Sequence, residues 1–554
     1  MPSSRFLLLL AFGAASASLL VAGTPRPATE QPAPLGPRLA EFVQTSAAGD
    51  RFRQMPRLKF TKGSPSRGVT VTVDPSVQRQ TLEGIGGGLT ESSAYVLAHL
   101  AKPARGRILD RFFGPTGARF TMARTHIGAC DFCLTGRYSY DDVPEDSALE
   151  HFSIAPDQRG FREARDPEYA LLPLIKDALA RNPGLKVVAS PWTAPAWMKD
   201  NRDWYGQGRG GTLLPEHWDT FARYMVKYLQ AYRAEGVPIW GVTPENEPVG
   251  NGGQWESMEF TAEGLRDYIK LHLGPQFAKH GLAGVKLIQF DHNRDANALR
   301  FSEAVLGDPS AAAFVWGTGL HWYSTTNSVR TELLDHLRAS YPTKALLHTE
   351  GCIDAIGTED SSPGGAFRGW KNEAWWWGAS ATDWGFYWAP PEERPAHPRY
   401  SPVHRYALDL LEGLNHGFVG WIDWNIVLDR RGGPNHVNNF CAAPIMVDTT
   451  SGETHVTPLY YVLAHFSRYL QPGDRVVRVS TSPQGPDSEG LHATAALRQD
   501  GRHLIVIAYN PTPRAIIYTL QVGILRAPVV IPGQALQSFC ISMDHLRRGT
   551  MEVR

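Results

Sequence analysis

The feature that most constrains this chain is an eightfold alternation of apolar strand and amphipathic helix between residues 81 and 470. The strands read "TLEGIGGGLTE" (81–91), "RFTMARTHIGACDF" (119–132), "LKVVASPWTAPAW" (185–197), "IWGVTPENEP" (239–248), "VKLIQFDHN" (285–293), "FVWGTGLHWYS" (314–324), "KALLHTEGC" (344–352) and "GFVGWIDWNIV" (417–427). Each is followed by a helical pattern such as "PEYALLPLIKDALARN" or "VHRYALDLLEGL". Strands alternating with helices predict a parallel sheet. Eight such units with long insertions predict a closed (β/α)8 TIM barrel over 76–470.

Barrels of this kind carry their chemistry at the C-terminal ends of the strands. The polar clusters of this chain fall there: Thr90-Glu91, Asp131, Trp192, Asn246-Glu247, His321-Trp322-Tyr323, Glu350 and Asp423-Trp424-Asn425. After residue 470 the pattern becomes short strands at hairpin spacing, among them "HLIVIAYN" and "AIIYTLQV". This predicts an accessory β-sandwich over 471–554. Strand-like segments at 43–75 are expected to join it, so that both chain ends build one module.

The N-terminus, "MPSSRFLLLLAFGAASASLLVAG", has the pattern of an export signal over 1–23, with an uncleaved anchor as the alternative. Residues 24–42 follow as a proline-rich linker. Secreted or periplasmic localisation is expected, with no stable membrane insertion after signal removal. Lys+Arg and Asp+Glu are equal at 55 each, which gives no electrostatic case for nucleic acid. The 16 Trp and 19 Tyr leave room for faces that hold sugar rings. Cys130-x-x-Cys133 has no visible second pair or histidine partner, so neither metal nor cofactor is expected.

Two carboxylates at a barrel mouth with aromatic walls suit acid–base work on a neutral, hydroxyl-rich substrate. Glycoside hydrolysis needs that equipment, one carboxyl group to protonate the leaving oxygen and one to attack. Glu247 ends strand four and Glu350 ends strand seven, on facing sides of the barrel. Alternation along the strand turns Glu245 away from Glu247. His321 and His348 are expected to be structural partners within the mouth.

The motifs "TPENEP", "LLHTEGC", "ASPWTAPAW", "GLHWYS" and "GWIDWN…GGPN" resemble glycoside hydrolase family 30, in its glucosylceramidase-like branch. The resemblance covers nearly all of 43–554 and implies a retaining β-glycosidase working by double displacement, without a cofactor. It implies Glu247 as general acid/base and Glu350 as nucleophile. It implies substrate contacts at Asn246, Asp131, Trp192, Trp424 and Asn439. Tyr323 and Arg124 would sit beside the nucleophile. The segment 352–400 is longer than in the lysosomal members and rich in tryptophan, so Trp376 and Trp384 are expected to wall a leaving-group subsite. A β-1,6-linked glucan or gluco-oligosaccharide is the expected substrate. Glucosylceramide, a β-xyloside, and a non-catalytic carbohydrate-binding role are the alternatives.

Overall fold

The computed structural model describes residues 39–63, 68–206, 211–354, 356, 365–383, 385–386, 389–482 and 490–544. The export signal, most of the proline-rich linker and Trp384 lie outside the described residues. Eight parallel strands close into a barrel: Gly84–Gly88, Met122–Ile127, Lys186–Pro191, Ile239–Val242, Lys286–Asn293, Val315–His321, Ala345–Glu350 and Phe418–Asn425. They are numbered one to eight here.

Inside the barrel, Met122, Val188, Ile288, Leu347, Val419 and Ile422 fill the lower layer, with Trp240 against Trp316 at 5.0 Å beneath them. These apolar positions sit toward the strand starts, which leaves the strand ends to polar residues. Helices cover the outside with one apolar face each. In Trp218–Ala234 that face is Phe221, Met225, Tyr228, Leu229 and Tyr232, spaced three or four apart. The helix Pro402–Asn415 begins with proline in its first turn, and the Ser401 hydroxyl caps it by accepting the His404 N–H. Strand one is glycine-rich because its neighbours approach closely. A Cβ at Gly88 would come within 2.6 Å of the Trp424 carbonyl oxygen.

Both chain ends form the second module, as the sequence leads one to expect. Its boundaries differ. The first strand, Leu39–Ser46, begins inside the segment expected as linker, because it pairs along its length with Ala535–Ser542. The strand Val69–Thr81 runs six residues past the expected boundary at 75. Its Val69, Val71 and Val73 are buried at the two-residue period of a strand. This strand pairs with Arg475–Ser482 on one edge and Ile516–Val522 on the other. Hydrogen bonding therefore runs through one eleven-stranded sheet rather than two separate ones. The sheet encloses its own core, including Phe42, Phe60, Val71, Val506, Leu520 and Phe539.

Candidate active site

The tip of strand four is clamped between its neighbours. Asn246 N–H donates to the Pro191 carbonyl of strand three at 2.7 Å, and Glu247 N–H to the Asp291 carbonyl of strand five at 3.0 Å. Glu247 is left with φ = 56°. A residue with a Cβ adopts that left-handed conformation at a cost of about 1–2 kcal/mol. The clamp holds the strain and aims the carboxylate into the mouth.

A cavity of about 710 Å³ opens there. Its walls include Asp131, Trp192, Asn246, Glu247, Tyr323, Glu350, Trp424 and Asn439, all residues singled out from the sequence. Arg124 lies fully buried beneath them. Its guanidinium donates to Glu350 Oε2, to Asn246 Oδ1 at 2.7 Å, to Asp291 Oδ2 at 2.8 Å and to Ser190 Oγ at 3.2 Å. Because Asn246 accepts with its oxygen, its NH2 group remains for a ligand in the cavity. The Tyr323 hydroxyl donates to the other Glu350 oxygen at 3.0 Å. Trp192 and Trp424 stack at 5.2 Å, and Asn439 donates to Asp131 at 3.0 Å. Burial, reinforced by Glu350, pushes Asp131 up to about 8.

Oxygens of Glu247 and Glu350 and a nitrogen of His321 lie within 4.8 Å of one another. Retaining glycosidases hold their carboxyl groups about 5–5.5 Å apart, and inverting enzymes about 6.5–9.5 Å. An approach this close lies nearer the retaining separation than the inverting one.

His321 does more than the structural work expected of it. Its Nδ1 faces Glu247 Oε1 at 3.1 Å and its Nε2 faces Asp291 Oδ1 at 3.0 Å. Burial opposes its charge, but Glu350, Asp291 and Glu247 outweigh burial and push it up to about 9. Asp291 was not singled out from the sequence, although it ends strand five as the other site residues end theirs. Against its burial, Arg124 and His321 hold it well below the usual carboxylate range. Burial raises Glu350 against His321 and Arg124, while His292 and His321 lower Glu247 against burial. The two carboxyl groups are thus driven apart in acidity, Glu350 upward and Glu247 downward.

Three expectations need correction. Trp376 is a core residue: it is fully buried, packs edge-on against Trp375 at 4.9 Å and Phe367 at 5.7 Å, and donates to the Gly369 carbonyl. Its indole is absent from the cavity wall, where the same segment instead contributes Cys352, Asp354, Gly365 and Phe367. Cys130 and Cys133 do have a histidine nearby, since His126 Nε2 lies 4.0 Å from Cys133 Sγ. That nitrogen also faces the Glu91 backbone nitrogen at 3.2 Å, at the start of a helix. His348 makes no polar contact at either ring nitrogen; it stacks on Trp421 at 4.5 Å, and burial holds it well below the usual histidine range. Glu245 is buried and outside the cavity wall; burial raises it and Lys199 opposes the rise.

Residues 82–372 and 395–470 match the model of the glycosyl hydrolase family 30 TIM-barrel domain. The chain belongs to glycoside hydrolase family 30. It is accordingly a glycoside hydrolase. Lysosomal acid glucosylceramidase of Mus musculus is 30% identical over 85% of this chain and 83% of its own length. Endo-1,6-beta-D-glucanase of Neurospora crassa is 27% identical over 83% and 85%. Among solved structures, the endo-beta1,6-glucanase BT3312 superposes with a TM-score of 0.72 at 25% identity, over 91% of this chain and 99% of its own.

Proposed function

We propose that the protein hydrolyses β-glucosidic bonds with retention, on substrates whose leaving group is itself a sugar, β-1,6-linked gluco-oligosaccharides first. The observation that carries this reading is the close approach of Glu247 and Glu350 in a cavity that also has hydrogen-bonding side chains on its wall. Asn251, Gln254, Asn293 and Arg431 line it beside the apolar Trp255, Phe367, Val437 and Phe440. The four polar side chains can bond the hydroxyls of a sugar leaving group, and the apolar ones can face its ring. The similarity to two endo-β-1,6-glucanases supports the linkage.

Charge balance assigns the roles. In the hydrogen-bonded cluster three carboxyl groups, Glu247, Asp291 and Glu350, face two cations, Arg124 and His321. One further proton is needed for neutrality. Glu350 has both oxygens engaged by donors, Arg124 and Tyr323, and so stays ionised. On these hydrogen bonds the proton is assigned to Glu247, whose Oε2 is free of the His321 contact and can face the glycosidic oxygen. The shifts of the two groups, Glu350 up and Glu247 down, run the other way; the hydrogen-bond geometry is followed because the two carboxyl groups titrate as a pair. Glu350 attacks the anomeric carbon as Glu247 passes its proton to the leaving oxygen. The covalent ester has no charge on Glu350, so Glu247 loses its neighbour's field and can take a proton from water. Water then attacks the anomeric carbon from the face the leaving group vacated, opposite Glu350, and breaks the ester bond to Glu350. The Asn246 NH2 group is placed to bond a sugar hydroxyl beside the reacting carbon, and Trp192 and Trp424 wall the ring.

Among the described residues no helix is long and apolar enough to cross a membrane. Export rests on the N-terminal pattern, and sequencing the N-terminus of the mature protein tests it. For the activity, β-1,6-, β-1,4- and β-1,3-linked gluco-oligosaccharides and glucosylceramide are compared at equal concentration, with the anomer released followed by NMR. Fastest cleavage of the β-1,6 series with β-product first supports the reading. Faster turnover of glucosylceramide, or α-product, refutes it.

A further inference from the structure

The backbone just past the nucleophile is fixed from three sides. Trp424 N–H donates to the Gly351 carbonyl at 2.9 Å, Trp322 Nε1–H to the Cys352 carbonyl at 3.2 Å, and Ala442 N–H to the Ile353 carbonyl at 2.8 Å. This positions the next side chain, Asp354, on the cavity wall. Its Oδ1 is buried and has no hydrogen-bond partner among the described residues. Arg405, the cation that acts on it, is already engaged with the Trp322 and Thr325 carbonyls and with Asp383. Asp383 in turn is held by Arg405 and His397. Asp354 is therefore a carboxyl group on the cavity wall with one oxygen unpartnered among the described residues.

Native proteins rarely keep a buried polar atom unsatisfied without a use for it. Burial first, and Asp383 second, push Asp354 well above the usual carboxylate range. A neutral carboxyl group offers one O–H donor and a carbonyl acceptor, the pair of functions that two neighbouring hydroxyls of a sugar complement. The sugar that is transferred to the enzyme occupies the side built by Asp131, Trp192, Asn246 and Trp424. Asp354, Phe367 and Arg431 also line the cavity and are not used by that sugar, which leaves them for the departing unit. Arg431 lies over the Phe440 ring at 4.8 Å, and both line the cavity. We propose that Asp354 binds the leaving-group sugar, bonding its hydroxyls and so setting which acceptors and leaving groups the enzyme accepts. This rests on the reading that the leaving group is a sugar, and its test is separable from the linkage.

The experiment uses the full-length enzyme with a nitrophenyl β-glucoside as donor and methyl β-glucoside as added acceptor. The glucosyl-enzyme partitions between water and the acceptor, and the ratio of transfer product to glucose is measured. The ratio does not depend on how fast the glucosyl-enzyme forms, so general damage to the site cancels. Asp354→Ala is expected to lower the ratio by about tenfold or more, and Asp354→Asn, which keeps a donor and an acceptor, to stay within about threefold of wild type. A ratio unchanged in Asp354→Ala, zero in wild type and variant included, overturns the proposal. So does an Asp354→Asn ratio as low as that of Asp354→Ala. A wild-type enzyme that ignores β-1,6 oligosaccharides while the ratio still collapses in Asp354→Ala refutes the linkage and upholds the role of Asp354.

Discussion

Replacing His321 by glutamine tests the charge cluster as a whole. The imidazole spans Glu247 and Asp291, and its environment pushes it from 6.5 up to about 9. At 1.36 kcal/mol per pH unit, that rise corresponds to about 3 kcal/mol of folding stability. A group with a raised folded pKa contributes fully below its unfolded value and stops contributing above its folded one. The contribution of His321 is thus complete below pH 6.5 and fades between pH 6.5 and about 9. The variant has no such cation at any pH. The gap in melting temperature between wild type and His321→Gln should therefore be widest near pH 6 and narrow steadily toward pH 9.5. Domains of 150–250 residues shift by roughly 2–4 °C per kcal/mol, and a longer chain by less, so the gap should close by roughly 3–6 °C. His126 and His436 are also pushed up, to about 10 and about 9, but they are common to both proteins and drop out of the difference. Thermal melts at half-unit pH intervals supply the measurement. Parallel curves would mean that His321 carries no proton in the folded site, and the charge balance behind the assignment of Glu247 would fail with it.

Glu350→Ala should abolish turnover, since no other group can form the glycosyl-enzyme. Azide should restore activity to Glu247→Ala on an activated glucoside and yield the β-azide; an α-azide would refute both assignments. Trp376→Ala should destabilise the protein by about 3–5 kcal/mol, and every substrate should lose activity in step with the melt. A selective loss on oligosaccharides with an unchanged melt would return that tryptophan to a subsite. Prolonged dialysis against EDTA should leave activity unchanged, because glycoside cleavage needs only the carboxyl pair; loss restored by zinc would show that His126, Cys130 and Cys133 hold an ion.

The barrel and the meeting of Glu247 with Glu350 in its mouth were legible because each depends on a local pattern. Alternating strand and helix has one common closed solution, and a polar residue at a strand end needs no knowledge of distant chain to be placed in the mouth. Asp291 obeys the same rule, and attention to "FDHN" would have found it. What stayed hidden depends on contacts across the fold. Nothing in "GLHWYS" says that His321 faces a carboxylate on strand four and another on strand five. The tryptophans of 370–377 carry the same letters whether they face a sugar or a core. Here Phe367, Trp375 and Trp376 pack on one another, and the helix Glu373–Trp377 buries them against the body of the protein.

Aromatic richness in an insertion is therefore weak evidence for a subsite, because burial of large rings is the commoner outcome. An unpartnered polar atom is stronger evidence, because burial without a partner is the rarer one. The segment after strand seven contains both kinds of residue. Trp376 donates its indole N–H within the protein and lies off the cavity wall, whereas Asp354 is on that wall with Oδ1 unpartnered among the described residues. Specificity on this face is then expected to follow the carboxyl group rather than the indoles. Strand ends fix the chemistry of the bond, and the first residues beyond them decide what may leave.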